Sequence, residues 1–244
     1  MDDLENSLGY RYLQETKFDA QTIRRARLEI APAPPIKQYP EAEKINLPTA
    51  CGIDKSLGEV LQGRRARRRF SDASLSMDDL GVLLWASQGI TARAGNFFLR
   101  TAPSAGALYP VETYLSIQNV HQLPPGFFHF QPLEFCLERL SQEFEVRSVA
   151  AAALGQNFLE KAGVVFIWSA LLRRNFSKYG HRGLRYVLMD VGHICQNLLL
   201  AAEALHLAAC PVAAFYDDPL NRLLDLDGKE ETVIYLAAVG RRGE

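Results

Sequence analysis

Lys178-Tyr179-Gly180-His181-Arg182-Gly183 leads directly into Leu184-Arg185-Tyr186-Val187-Leu188-Met189-Asp190-Val191, and the architecture is read outward from this junction. Apolar residues fall at Leu184, Val187, Leu188, Val191, Ile194, Cys195, Leu198, Ala202 and Leu205, the three-and-four spacing of one helical face. Tyr186, Met189, Leu199 and Leu200 widen that stripe, so the pattern predicts a central, largely buried helix. From Gly183 to Leu207 it would run about 36 Å, enough to cross a small domain. A lysine and a tyrosine stand side by side at its entrance.

Composition bounds what such a helix can belong to. The chain has 244 residues, 48% of them hydrophobic, which suits one large domain or two small ones. A net charge of −1 supplies no global field toward nucleic acid or acidic lipid, and neither partner is expected. Cys51, Cys136, Cys195 and Cys210 form no C-x-x-C pair, so no zinc or disulfide framework is legible and no metal is expected. The acidic start, Met1-Asp2-Asp3-Leu4-Glu5, lacks the apolar core of a signal peptide, and no run reaches a membrane span. A soluble cytoplasmic protein is the expectation.

Residues 1–50 read as an N-terminal arm and linker, and 51–244 as the folded domain. Tyr10 to Arg27 can form a polar helix, and Ala31-Pro32-Ala33-Pro34-Pro35 then forces an extended course. Ser56 to Gln62 is a short helix, and Ser76 can cap a second one whose buried face is Leu80, Leu83 and Leu84, with Gly89 as its stop. Arg93 and Arg100 lie in a loop. Strands are expected at Val111–Ile117, 127–130, 135–137, Val164–Trp168, Pro211–Phe215 and Val233–Val239, with helices at Val146–Leu154 and Pro219–Leu226. The order is not a regular βαβ alternation and no G-x-G-x-x-G opens a helix, so an α+β sheet fits better than a dinucleotide-binding fold.

Three further features carry chemistry. Gly63-Arg64-Arg65-Ala66-Arg67-Arg68-Arg69-Phe70 puts five arginines in six residues of a nearly neutral protein. A planar guanidinium meets phosphate oxygens two at a time, so a small anionic ligand is one reading. A solvated basic face or a nucleic-acid patch are the others. In Thr101-Ala102-Pro103-Ser104-Ala105-Gly106-Ala107-Leu108-Tyr109-Pro110, small residues let backbone amides approach a flat ligand, although an ordinary turn reads the same way. Asp190 would need a partner if buried, and Arg182 or Arg185 could supply it.

The arginine run, the Thr101–Pro110 loop, the Lys178-Tyr179 junction and the terminal Val239-Gly240-Arg241 occur in the order of one known family. The chain resembles the flavin-dependent nitroreductase superfamily from about Ile45 to Arg241, and within it the SagB-type dehydrogenases, relatives of the thiazoline/oxazoline oxidases. The resemblance implies a mixed, mainly antiparallel sheet flanked by helices around the long helix, and a homodimer with FMN at the subunit interface. By that likeness Arg64, Arg65 and Arg68 would hold the FMN phosphate, with Arg241 closing on it beside Gly240. Ala66 stands where the family usually has serine, which removes one hydroxyl contact. Pro103, Ser104, Ala105, Gly106 and Leu108 would reach the flavin from the other subunit, and Val212, Ala213 and Ala214 would line it through their backbone. Lys178 and Tyr179 map onto a lysine–tyrosine pair near the flavin in this branch.

The chemistry implied is oxidation of an azoline-type heterocycle or peptide-derived substrate, a base removing a carbon-bound proton while hydride leaves to the flavin. A lysine can be that base only when neutral, a form favoured by burial and by nearby cations, for which Arg173, Arg174, Arg182 and Arg185 are close in sequence. The alternatives are an NAD(P)H-dependent reductase of nitro compounds or quinones, and a non-catalytic protein whose arginines bind an anion or nucleic acid.

Overall fold

A computed structural model of the chain describes residues 4–18, 28–48, 53–95, 97–140 and 142–244. Cys51 and the second half of the helix expected over Tyr10–Arg27 therefore lie outside the described residues. The part that is described, α1 (Leu8–Glu15), is capped by Ser7, whose side chain accepts from Tyr10 N. β1 (Lys44–Asn46) follows the proline-rich segment and forms one edge of the main sheet.

α2 (Leu57–Gly63) and α3 (Met77–Gln88) both begin in capping boxes, Ser56 with Glu59 and Ser76 with Asp79. Each box satisfies amide donors that the first turn leaves without a partner. Gly89 ends α3 as expected. The segment after it is not a plain loop: β2 (Ile90–Ala94) and β3 (Phe97–Arg100) pair as an antiparallel hairpin.

The sheet is built from β4 (Val111–Ile117), β5 (Gly126–Gln131), β6 (Cys136–Arg139), β7 (Val164–Leu171), β8 (Leu207–Val212) and β9 (Glu231–Arg241), together with β1. Its seven strands run in the order β1-β6-β5-β4-β7-β9-β8. Every ladder in it is antiparallel, and isolated bridges such as Ala66 to Ala209 supply the parallel pairings. β4 is buried along its whole length, because both faces of the sheet are covered. α6 (Gly183–Ala204) packs on one face together with α3. α4 (Val146–Ala152) and α7 (Asp217–Leu223) close the other, over Tyr114, Ile167 and Leu236.

α5 (Leu172–Tyr179) follows β7 without a loop and stops at Gly180, whose φ of 55° lies in the left-handed region that favours glycine. A single 3₁₀ turn then leads into the 22 residues of α6. The helix ends at Ala204, short of the expected Leu207: His206 takes a φ of 57° and Leu207 already pairs in β8. Nor is α6 buried all round. Val187, Val191, Ile194, Cys195 and Leu198 face the core, whereas Leu188 and Met189 are 50% and 57% exposed and Gly192 has open space beside it. Among the described residues, no helix is long and apolar enough to cross a membrane.

Candidate functional site

The chemistry-bearing residues collect at the two ends of α6. At its C-terminal end the arginine run leaves α2 and pairs with β8, Arg67 N donating to Ala209 O at 2.8 Å. Glu203, on the last turn of α6, is buried and draws three cations: Arg67 (3.5 Å), Arg242 (2.9 Å) and Lys55 (3.9 Å). A side chain at Gly63 would strike Glu203 Oε1 at 2.8 Å, so the glycine keeps this cluster close against α2. Arg69 Nη1 donates to Glu244 O.

Arg64, Arg65 and Arg68 are different. Among the described residues none of them meets a carboxylate. Arg65 donates only to the carbonyls of Gln62 and Arg64, and Arg68 stands over the Phe158 ring at 5.8 Å. Three partly or fully exposed guanidinium groups close in sequence, with no internal counter-charge among the described residues, suit an external anion. Ala66 is exposed and offers only backbone.

Arg241 adjoins the run, its carbonyl accepting from Ser71 N at 3.0 Å, but its side chain is engaged elsewhere. Nη2 donates to Asp79 Oδ2 at 2.6 Å and Nε to Ser74 O at 3.2 Å, tying the end of β9 to the start of α3. Gly240 makes room for Phe70, whose ring would lie 2.9 Å from a Cβ there. Val212 closes β8 in the core, and Ala213 and Ala214 beyond it are exposed.

At the other end of α6 the small-residue loop meets the lysine–tyrosine pair. Ser104 Oγ donates to Asp190 Oδ2 at 2.6 Å and Ala105 N reaches Asp190 Oδ1 at 3.3 Å. These bonds, rather than Arg182 or Arg185, are what Asp190 receives. Arg182 and Arg185 point to α1 instead, donating to Thr16 O and to Thr16 Oγ1 and Leu13 O. Burial pushes the Asp190 carboxyl above its ordinary range, and the Ser104 and Ala105 bonds pull the other way.

Tyr109 N donates back to Ser104 Oγ at 2.9 Å, which closes the loop on itself. Gly106, Ala107 and Tyr109 all take positive φ (65°, 55° and 45°). At Gly106 a side chain has no room: a Cβ would stand 2.6 Å from Lys178 Nζ and closer still to Tyr179 Oη. The ammonium and the hydroxyl thus converge on bare backbone. Lys178 is exposed at this edge, and Tyr179 packs edge-on against Tyr186 with ring centres 4.8 Å apart. Pro103 is exposed, and Ala105 and Leu108 are partly so.

The arginines expected to surround Lys178 have partners of their own. Arg173 pairs with Glu230, and Arg174 is buried against Glu112 at 2.6 Å. In the sequence Glu112 is one residue of the alternating strand expected at Val111–Ile117. It lies in a buried ionic array with His129 Nε2 at 3.2 Å, and His129 Nδ1 lies 2.8 Å from Glu138. Burial raises the Glu112 carboxyl, but Arg174, His129 and Arg100 outweigh it and hold the group at about 2. Charged residues inside strands otherwise full of apolar side chains were the available signal for this array.

A model of the nitroreductase family matches residues 61–241, and the chain belongs to that family. It is 35% identical over 207 residues to MJ1384 of Methanocaldococcus jannaschii, a protein named for the same family, covering 85% of this chain and 96% of that one. It is 28% identical over 134 residues to the microcin B17-processing protein McbC of Escherichia coli, covering 52% of this chain and about half, 49%, of McbC. Among solved structures, a family member from Anabaena variabilis superposes with a TM-score of 0.75 at 23% identity, over 96% of this chain and 47% of that one. Another from Desulfovibrio desulfuricans, solved in complex with FMN, gives 0.55 at 17% identity over 78% of this chain and 88% of that one.

Proposed function

We propose that the chain is an FMN-dependent oxidoreductase of the SagB-type branch, working as a homodimer on an azoline-type heterocycle or peptide-derived substrate. The observation that carries this reading is the division of the site between the ends of α6. Three arginines without acidic partners among the described residues lie at one end, and Lys178 and Tyr179 converge on Gly106 at the other. Asp190, which holds the loop in the first half of α6, and Glu203, on its last turn, are 13 residues apart on one helix, or about 20 Å. A second copy related by a two-fold axis would bring the loop of one chain to the arginines of the other. The outward face of α6, with Leu188, Met189 and Gly192, is the surface such a copy would cover.

The residues fit the cofactor. Arg64, Arg65 and Arg68 would hold its phosphate, with Arg241 bracing the run from α3 and Ala213 and Ala214 offering backbone beside it. Pro103 to Leu108 would supply small-residue backbone to the ring system. When bound, FMN supplies a two-electron acceptor for hydride. Lys178 is exposed in the single chain, and cover by the second copy and the cofactor would favour its neutral form. It would then take the carbon-bound proton from the substrate, and the Tyr179 hydroxyl would orient the heteroatom beside it. Likeness to McbC, a microcin B17-processing protein, supports the substrate class.

The second reading, an NAD(P)H-dependent reductase of nitro compounds or quinones, is favoured by the more extensive likeness to MJ1384. A panel of azoline-containing peptides, run against nitroaromatics with NAD(P)H, separates them. Flavin reduction by an azoline peptide without NAD(P)H supports the first, and reduction only by NAD(P)H supports the second.

A further inference from the structure

We infer that Arg174 is a positioning residue: it locks the Ser104–Pro110 loop against Lys178 and Tyr179 and couples that loop to the N-terminal arm. The inference rests on the proposed reading for its catalytic meaning, and on geometry alone for the coupling. Arg174 and Lys178 stand one turn apart on α5. Lys178 reaches the loop at Gly106, and Arg174 reaches it from inside the protein, Nη1 donating to Tyr109 O at 2.7 Å. One short helix therefore grips one loop at two points.

The guanidinium serves three directions at once. Besides Tyr109 O, Nε donates to Pro34 O of the arm at 2.7 Å, and Nη2 lies 2.6 Å from Glu112 Oε1 on β4. Arg174 and Glu112 are each 2% exposed, so neither swings toward water. Glu112 is held in turn by His129, and His129 by Glu138, which fixes the anchor along the neighbouring strands β5 and β6.

The loop needs such an anchor. Ala107 and Tyr109 carry side chains at positive φ, a conformation that persists only when surrounding structure imposes it. Tyr109 is held on both sides of its Cα: its N–H by Ser104 Oγ, its carbonyl by Arg174. Its ring lies under the Arg100 guanidinium at 4.7 Å, and its hydroxyl accepts from Arg100 N at 3.0 Å. Releasing the carbonyl would let Gly106 move relative to the ammonium and hydroxyl that meet there. Lysine at 174 keeps the charge beside Glu112 but lacks the planar fork that donates to Tyr109 O and Pro34 O at once.

The test uses Arg174→Lys and Arg174→Met in the full chain, with and without added FMN. Amide hydrogen exchange is read for peptides covering Ser104–Pro110 and, as reference, β7. The expected result for Arg174→Lys is faster exchange at Ala105 and Tyr109 with β7 unchanged. FMN affinity falls only a few-fold, since the arginine run is untouched and only the loop's contacts to the ring system loosen, while flavin reduction at saturating substrate slows about 10²-fold with little change in KM. Arg174→Met should show the same loop effect more strongly. Unchanged loop exchange in Arg174→Lys overturns the inference. So does a uniform rise that includes β7, or failure of both variants to fold, because Arg174 would then be only a buried ion-pair partner. Exchange in the FMN-free chain reads the coupling by itself, so absence of FMN binding would sink the proposed function and leave the loop result standing.

Discussion

Ser104 Oγ donates to Asp190 Oδ2 at 2.6 Å across 86 residues of sequence, and this bond seats the small-residue loop on the first half of α6. The same carboxylate accepts from Ala105 N, so one buried acid replaces two solvent contacts of the loop. Ser104→Ala would leave a buried acceptor without its hydroxyl donor, at a cost of about 1–3 kcal/mol. Urea unfolding should show the lowered midpoint, and Asp190→Asn should lower it too, because its single amide oxygen can accept from only one of Ser104 and Ala105.

The arginine run divides into two kinds of residue, and substitution should separate them. Arg65→Ala removes a guanidinium with no acidic partner among the described residues, so its expected effect is on FMN affinity. A charged hydrogen bond of about 1.5–3 kcal/mol corresponds to roughly 10- to 150-fold in Kd, read by flavin fluorescence. Arg67→Ala instead strips a partner from buried Glu203, and should lower thermal stability. Equal effects of both substitutions on FMN affinity would erase the distinction.

The buried array gives stability an acid-side dependence with a definite sign. Glu112 is held at about 2 in the folded chain against an ordinary 4.5, so its contribution is complete above 4.5. That contribution is lost as the pH falls from about 4.5 toward 2. His129 works in the opposite direction. Burial lowers it, but Glu112 and Glu138 raise it above 6.5, so its contribution is full below 6.5 and fades as pH rises through the folded value. Glu112→Gln should remove the acid-side loss and, by stranding Arg174, destabilise the neutral-pH fold by about 3–5 kcal/mol. Urea midpoints measured from pH 3 to 9 check both limbs.

Much of the fold was legible because local patterns agreed with tertiary demands. Ser76 followed by Asp79 announced α3, and the apolar run at Val164 announced β7. β8 was read too late, starting at Pro211. Proline interrupts a strand signal, yet β8 is an edge strand and tolerates it. The helix was read too far because Leu205 and Leu207 continue its stripe, while the φ of 57° at His206 leaves no mark in apolar spacing. Leu188 and Met189 match the stripe as well, but spacing cannot distinguish the core-facing side of a helix from an exposed one. The family motifs named the residues of the candidate site. Its supports, Asp190 under Ser104 and Glu112 under Arg174, join residues 86 and 62 positions apart, which periodicity cannot pair.

Lys178 and Tyr179 should affect turnover without affecting cofactor content. Lys178→Met and Tyr179→Phe keep most of the side-chain bulk and remove the ammonium and the hydroxyl. Substrate-dependent flavin reduction in stopped flow should slow by roughly 10²–10⁴-fold, with FMN retained. Parent rates with every active substrate would make the pair structural.

Titration of FMN into the purified, flavin-free chain tests the central claim most directly, followed by flavin fluorescence alongside light scattering. The account predicts saturable binding by a dimer, one FMN per chain, and loss of that binding in the Arg64→Ala, Arg65→Ala, Arg68→Ala triple variant while its fold persists. A folded chain that does not bind FMN, or a triple variant that binds as the parent does, would contradict it.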